Sequence, residues 1–253
     1  MADLAVDHDD RVTRIALNRP ERRNALSLSL MQEMLAALRA LPDDTEAVVV
    51  EAIGPVFSAG HDLSEMVGRD AGFYDELFAV CTDLMLAVHA IPQPVIAKVH
   101  GGATAAGCQL VAACDLAVAS EDAWFATPGV KIGLFCSTPM VPLTRVIGRR
   151  RALHMLFTGQ PVDARTALDW GLVNDVVPAA DLDAAVDALV GQILCFSPRV
   201  VGLGKRMFYD QIDVDEEAAY ERAKRVMAAN AADADAQEGM SAFLEKRAAN
   251  WPG

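Results

Sequence analysis

The chain alternates short apolar runs with longer helical patterns, and this alternation constrains its fold more than any other feature. Residues 12–17 switch between apolar and polar positions, the period-two signature of a half-buried strand. Residues 4–6 are placed to pair with them as a hairpin through a turn at Asp9 and Asp10. Residues 47–53, 94–99 and 116–119 are mostly apolar, which suits strands covered on both faces. Helical periodicity runs through residues 28–41, 74–89 and 103–113. Strand and helix in alternation imply an α/β sheet with crossover helices. After Asp163 the strands thin out, and residues 181–194, 197–208, 215–229 and 234–246 all carry a helical period. An α/β core followed by a helical tail is expected, with the segment 68–72 as the most mobile loop.

Composition narrows the partners. A chain of 253 residues, 53% apolar, is sized for one α/β unit with a small appendage. Asp and Glu number 35 against 22 Lys and Arg, a formal net charge of −13. Such a chain repels phosphate polymers and anionic lipid, so neither nucleic acid nor membrane is an expected partner. An anionic small molecule would need a local cation cluster. The cysteines at 81, 108, 114, 136 and 195 are odd in number and lack metal-binding spacing, so neither a disulfide framework nor a metal is expected. No run of about 18 apolar residues is present. The N-terminus has no signal-peptide pattern, and a cytoplasmic location is the expectation.

Two segments carry the chemistry. In the first, Ser58, Ala59 and Gly60 precede His61, Asp62 and Leu63 just after a strand. Small residues there let a ligand approach the main chain, although a plain strand-to-helix turn explains them equally. Asp62 and Glu65 have capping-box spacing. In the second, residues 101–107 form a run of Gly, Ala and Thr that opens a helix. Its first turn offers unpaired N–H groups at the positive end of the macrodipole, although close helix packing would also select small residues. Taken together, two main-chain donors from separate strand ends could converge on one oxygen as an oxyanion hole.

With these residues in view, the chain resembles the crotonase (enoyl-CoA hydratase/isomerase) superfamily almost end to end. The resemblance is carried by LNRPERRNALS at 17–27, FSAGHDL at 57–63, PVIAKVHGGATAAGCQLVAACDLAVAS at 94–120, FATPGVKIGL at 125–134, FTGQPVDARTALDWGLVNDVV at 157–177 and EGMSAFLEKR at 238–247. It implies a crotonase-like spiral of ββα units over residues 1–195 and a helical trimerisation region over 196–253, with trimers often paired into hexamers. It places the oxyanion donors at the N–H groups of Ala59 and Ala106, holding the thioester oxygen of an acyl-CoA. It sets Ser58, Gly60, Asp62, Leu63, Cys136 and Ser137 near the acyl-pantetheine part. It sets Arg22, Arg23 and Ala25 near the CoA nucleotide, with Lys246 reaching CoA from the C-terminal tail. No metal, nicotinamide or flavin is implied, because coenzyme A arrives with the substrate.

The chain departs from the family at the two hydratase glutamates, whose positions hold Gln109 and Gly129. An amide exchanges no protons near neutrality, and glycine offers no side chain. General acid–base groups typically contribute roughly 10²–10⁴ each, so efficient hydration is not expected. His61 is the remaining titratable group in the motif, near neutrality when unperturbed. Three readings follow: a hydratase/isomerase-family enzyme with other proton-transfer groups, a non-catalytic acyl-CoA-binding protein, and a malonyl-type CoA decarboxylase that uses His61. The tyrosine that accompanies this His in such decarboxylases corresponds to Cys136 here.

Overall fold

The computed structural model describes residues 2–251. Ten strands are present among them: β1 (Leu4–Asp9), β2 (Val12–Leu17), β3 (Ala47–Ala52), β4 (Val56–Ser58), β5 (Val95–Val99), β6 (Gly102–Thr104), β7 (Leu116–Ser120), β8 (Trp124–Ala126), β9 (Val162–Asp163) and β10 (Asp175–Val177). The helices are α1 (Leu28–Arg39), α2 (Leu63–Met66), α3 (Ala71–Ala90), α4 (Ala106–Ala113), α5 (Ser137–Ile147), α6 (Arg149–Thr158), α7 (Ala164–Trp170), α8 (Leu182–Leu194), α9 (Pro198–Gln211), α10 (Glu216–Ala231) and α11 (Ala234–Glu245).

The strands form two sheets. The larger has the order β1-β2-β3-β5-β7-β10, with an antiparallel β1–β2 hairpin and parallel pairing beyond it. The smaller has the order β4-β6-β8-β9. Each of β3, β5 and β7 leaves the large sheet, adds a three-residue strand to the small one, and then enters a helix. Three such turns in succession make a ββα spiral, the expected crotonase-like fold. The hairpin turns at Asp10 and Arg11, one residue later than expected, because Asp9 still pairs with Val12. Asp10 takes the left-handed conformation there.

Two apolar layers hold the spiral. Val48 and Val50 of β3 face one cluster with α1, α3 and α4, built around Leu30, Met34, Leu84, Phe57 and Phe125. Ala47 and Val49 face the other, against Leu182, Val186 and Val190 of α8. Both faces of β3 are thus covered, as its apolar run predicts. Side-chain caps fix several helix starts: Ser27 accepts from Leu30 N–H, Asp70 from Phe73 N–H and Ser197 from Val200 N–H. The C-terminal helices pack more loosely. No residue of α10 is buried, and Phe243 and Leu244 of α11 are 83% and 79% exposed.

Candidate active site

The first donor segment is fixed by contacts from a distant loop. Asn24 is fully buried, and its Nδ2 donates to the carbonyls of Ile53 and Val56, each at 2.9 Å. The Ser58 hydroxyl donates to the Asn24 carbonyl at 2.8 Å and accepts from Gly60 N–H at 3.2 Å. Leu26 N–H donates to the Gly60 carbonyl at 2.8 Å, and Asp62 N–H to the Leu26 carbonyl at 3.1 Å. These bonds lace residues 24–26 to residues 58–62.

One consequence corrects the sequence expectation. Ala59 N–H donates to the Arg23 carbonyl at 3.0 Å, so it is not free to hold a ligand. Two residues on, the main-chain N–H of His61 has no partner among the described residues. The turn therefore does offer a donor, at His61 rather than Ala59. Which N–H a turn keeps for itself depends on a carbonyl 36 residues away in sequence, which local spacing cannot reveal.

The second donor segment begins α4. The helix starts at Ala106 and not at residue 103, because residues 102–104 form β6 of the small sheet. Ala105 precedes it at φ +49°, ψ −118°, a sparsely populated conformation for a residue with a Cβ. Such strain costs about 1–3 kcal/mol and needs surrounding support. Ala105 N–H supplies part of it by donating to the Ala126 carbonyl at 2.9 Å. Ala106 N–H belongs to the first helical turn, whose donors have no intrahelical partner.

The two segments touch. Gly60 sits at φ +87°, and a Cβ there would lie 2.8 Å from Ala105 Cβ and 3.1 Å from Ala106 N. A Cβ on Gly107 would lie 2.5 Å from the Ser58 carbonyl oxygen. Backbone meets backbone, which requires small residues on both sides. The surface they share opens into a cavity of about 480 Å³, lined among others by Ala59, His61, Leu63, Phe78, Ala106, Gly129, Lys131, Cys136 and Ser137.

Electrostatically this cavity lacks an ionised base. No Asp or Glu lines it among the described residues. Burial drives the His61 pKa down to about 4, and the Leu26 carbonyl opposes this only weakly, making no well-formed bond to either ring nitrogen. The imidazole, set edge-on against Phe78, is therefore neutral at pH 7 and cannot serve as an imidazolium acid. Burial also raises the Cys136 thiol, which keeps its proton. Among the described residues, Lys131 is the one charged side chain in the lining.

The two positions of the missing glutamates differ. Gly129 lines the cavity, but a Cβ there would fall 2.0 Å from the Leu134 carbonyl oxygen and 2.8 Å from Cys136 Sγ. The main chain occupies the space a side chain would need. Gln109 is buried on α4, one turn beyond Ala106, and lines a second, adjoining cavity of about 640 Å³. Thr138 borders both cavities.

Other expected site residues fall behind or outside the cavity wall. Asp62 caps α2, accepting from Ser64 N–H at 3.1 Å and the Ser64 hydroxyl at 2.6 Å. It also pairs with Arg19 at 3.3 Å. Burial tends to raise its pKa, but the Ser64 bonds and the Arg19 charge outweigh it and hold the carboxyl below its usual range. Glu65 does not complete the capping box; its carboxylate accepts from Leu28 N–H at 3.1 Å and caps α1 instead. Arg22 and Arg23 are exposed and form no ion pair among the described residues, and Ala25 is buried. Lys246 ends α11 in the left-handed conformation, exposed. Sequence reasoning missed Arg19, the lacing role of Asn24, which the resemblance sets only in the loop near the CoA nucleotide, and Lys131. The first two act through partners distant in sequence. Lys131 lies inside the quoted motif at 125–134 and was the legible cation.

This ββα spiral, with a helical tail and a cavity lined by the segments that follow β4, β6 and β8, is the fold of the crotonases. The chain belongs to the enoyl-CoA hydratase/isomerase family, whose model matches residues 7–253. It is similar to a crystal structure of enoyl-CoA hydratase from Mycobacterium smegmatis, 49% identical, with a TM-score of 0.98 and full coverage of both chains. It is also similar to human enoyl-CoA hydratase domain-containing protein 3, 46% identical over 247 residues, covering 96% of this chain and 81% of the relative. Escherichia coli (strain K12) 2,3-dehydroadipyl-CoA hydratase is 33% identical over the whole of both chains. The expected cytoplasmic location is overturned: the mouse, rat, human, frog and zebrafish relatives at 44–46% identity are all named mitochondrial. That expectation rested only on the missing signal-peptide pattern, which does not distinguish the cytoplasm from the mitochondrion.

Proposed function

We propose that the chain binds an acyl-CoA thioester with its carbonyl oxygen between the N–H groups of His61 and Ala106, and stabilises the enolate that forms when charge moves onto that oxygen. One observation carries this reading. Two main-chain donors without protein partners among the described residues lie at the contact of two segments that wall one cavity. Preorganised donors of this kind are typically worth roughly 10²–10³ in rate each. Lys131, with Arg22 and Arg23 on the loop behind the turn and Lys246 on the tail, supplies positive charge for the phosphates of CoA. Leu63, Phe78, Cys136 and Ser137 bound the space for the acyl-pantetheine part.

Efficient hydration is not part of this reading. Water addition needs a base and an acid, and neither Gln109 nor Gly129 supplies one. His61 does not replace them: its neutral ring has no imidazolium proton to give, and a pKa lowered to about 4 makes it a weak base. Enolate stabilisation itself needs only the donors. Isothermal titration with butyryl-CoA and free CoA tests the proposal. Tighter binding of the thioester supports it; equal binding of the two removes the carbonyl contact.

Residues 196–253 are proposed to build a homotrimer, with a dimer of trimers as the larger form. Tyr220, Met227, Phe243 and Leu244 are exposed apolar groups on helices that bury little within one chain. Such area is ordinarily covered by a partner. Light scattering of the wild type against F243D/L244D checks this: a trimer or hexamer that falls to monomer is expected.

A further inference from the structure

We propose that Gln109 is a substrate-binding residue that donates a hydrogen bond from Nε2 to an oxygen on the third carbon of the acyl group, so that the chain prefers 3-oxoacyl thioesters over unsubstituted ones. This rests on the acyl-CoA reading above and names the substrate class for that site.

The geometry begins with α4. Gln109 follows Ala106 by three residues, so the two side chains lie on one helical face, about 5–6 Å apart at Cβ. If Ala106 N–H holds the thioester oxygen, a side chain one turn onward stands beside the second and third acyl carbons. Gln109 lines the second cavity, and Thr138 borders both. In this proposal the acyl group runs from the first cavity into the second, past Thr138, to reach Gln109.

The orientation of the amide comes from α3. The Cys81 thiol, fully buried, donates to Gln109 Oε1 at 3.8 Å. Burial pushes that thiol up to about 12, so it retains the proton it donates. With Oε1 engaged by Cys81, Nε2 has no protein partner among the described residues and is the part of the amide left for a ligand. An N–H donor meets a ketone oxygen well and a methylene not at all. The buried donor left unpaired by an alkyl chain costs binding. Where a glutamate would present an acceptor for a water or hydroxyl proton, this chain presents a donor.

Titration of the wild type with acetoacetyl-CoA and butyryl-CoA, equal in chain length, tests the proposal. The 3-oxo compound is expected to bind about tenfold more tightly. An acidic 3-oxo thioester could also gain at the oxyanion donors, so the ratio is compared between variants. Gln109→Met removes the donor and should bring the ratio close to one. Gln109→Glu presents an acceptor and should favour 3-hydroxybutyryl-CoA over acetoacetyl-CoA. Cys81→Ala frees the amide to rotate and should narrow the ratio without abolishing it, a change that a general loss of stability would not produce. A ratio of one in the wild type, or the same ratio in wild type and Gln109→Met, overturns the proposal while leaving the acyl-CoA reading intact. No binding of either thioester overturns both.

Discussion

The two walls of the first cavity are built differently. One wall is main chain: residues 58–61 meet residues 105–107 at backbone contact distance, tied by Asn24, Ser58 and Leu26. The other comes from the loop that carries Gly129, Lys131, Leu134 and Cys136, and among the described residues it offers a lysine ammonium but no carboxylate. The backbone contact between the two segments is thus kept although the two family glutamate positions hold Gln109 and Gly129. The first depends on backbone placement, which many buried residues enforce together. The second depends on single side chains: Gln109 is buried on α4, and at Gly129 the main chain fills the space of a Cβ.

The sharpest way to break this contrast is to disturb the main-chain wall. Gly60→Val puts branched carbon where a Cβ already lies 2.8 Å from Ala105 Cβ, at a φ that a β-branched residue disfavours. Thioester affinity is expected to fall by about tenfold or more, the scale of a lost hydrogen bond. Titration with butyryl-CoA measures it, and an unchanged affinity would separate the contact from binding.

Next comes the acid response of His61. Its folded pKa of about 4 lies below the ordinary 6.5, so the unfolded chain binds its proton first. The stability tied to the neutral ring is complete above pH 6.5 and is lost as pH falls toward 4. The loss is about 3 kcal/mol. Burial lowers His89 as well, adding to the slope. Urea unfolding at stepped pH should show this loss, and His61→Leu should flatten most of it. An equal slope in the variant would contradict the buried neutral ring.

Asn24→Ala should destabilise the chain by about 2–3 kcal/mol, because it strands the carbonyls of Ile53 and Val56. Chemical denaturation measures it, and a loss below about 0.5 kcal/mol would show that the lacing is not what holds the turn.

Gly129→Glu tests the opposite wall, and the expected gain is nil. With the Leu134 carbonyl 2.0 Å from the new Cβ, the loop must move before a carboxylate can face the cavity. The variant is expected to melt lower and to gain no crotonyl-CoA hydration, alone or with Gln109→Glu. A gain in the range of roughly 10²–10⁴ would show that the loop yields easily.

Much of the core was legible because burial writes a period into the sequence. The runs at 12–17 and 47–53 and the helices from 28, 182 and 234 stand close to where their patterns place them. What escaped was short or non-local. Three-residue strands such as β6 hold no full period, so the start of α4 was read too early. The engagement of Ala59 N–H escaped because the Arg23 carbonyl that occupies it comes from another loop. Arg19 was missed for the same reason: it ties Asp3, Asp62 and the Ala25 carbonyl, and none of these pairings has a local signature.

The most direct measurement is the ¹³C resonance of a thioester carbonyl, labelled in butyryl-CoA and followed as it binds. Polarisation by the N–H groups of His61 and Ala106 should move the signal downfield from its position in free butyryl-CoA, and Gly60→Val should abolish the displacement. A bound thioester whose carbonyl resonates where the free one does would contradict the oxyanion site.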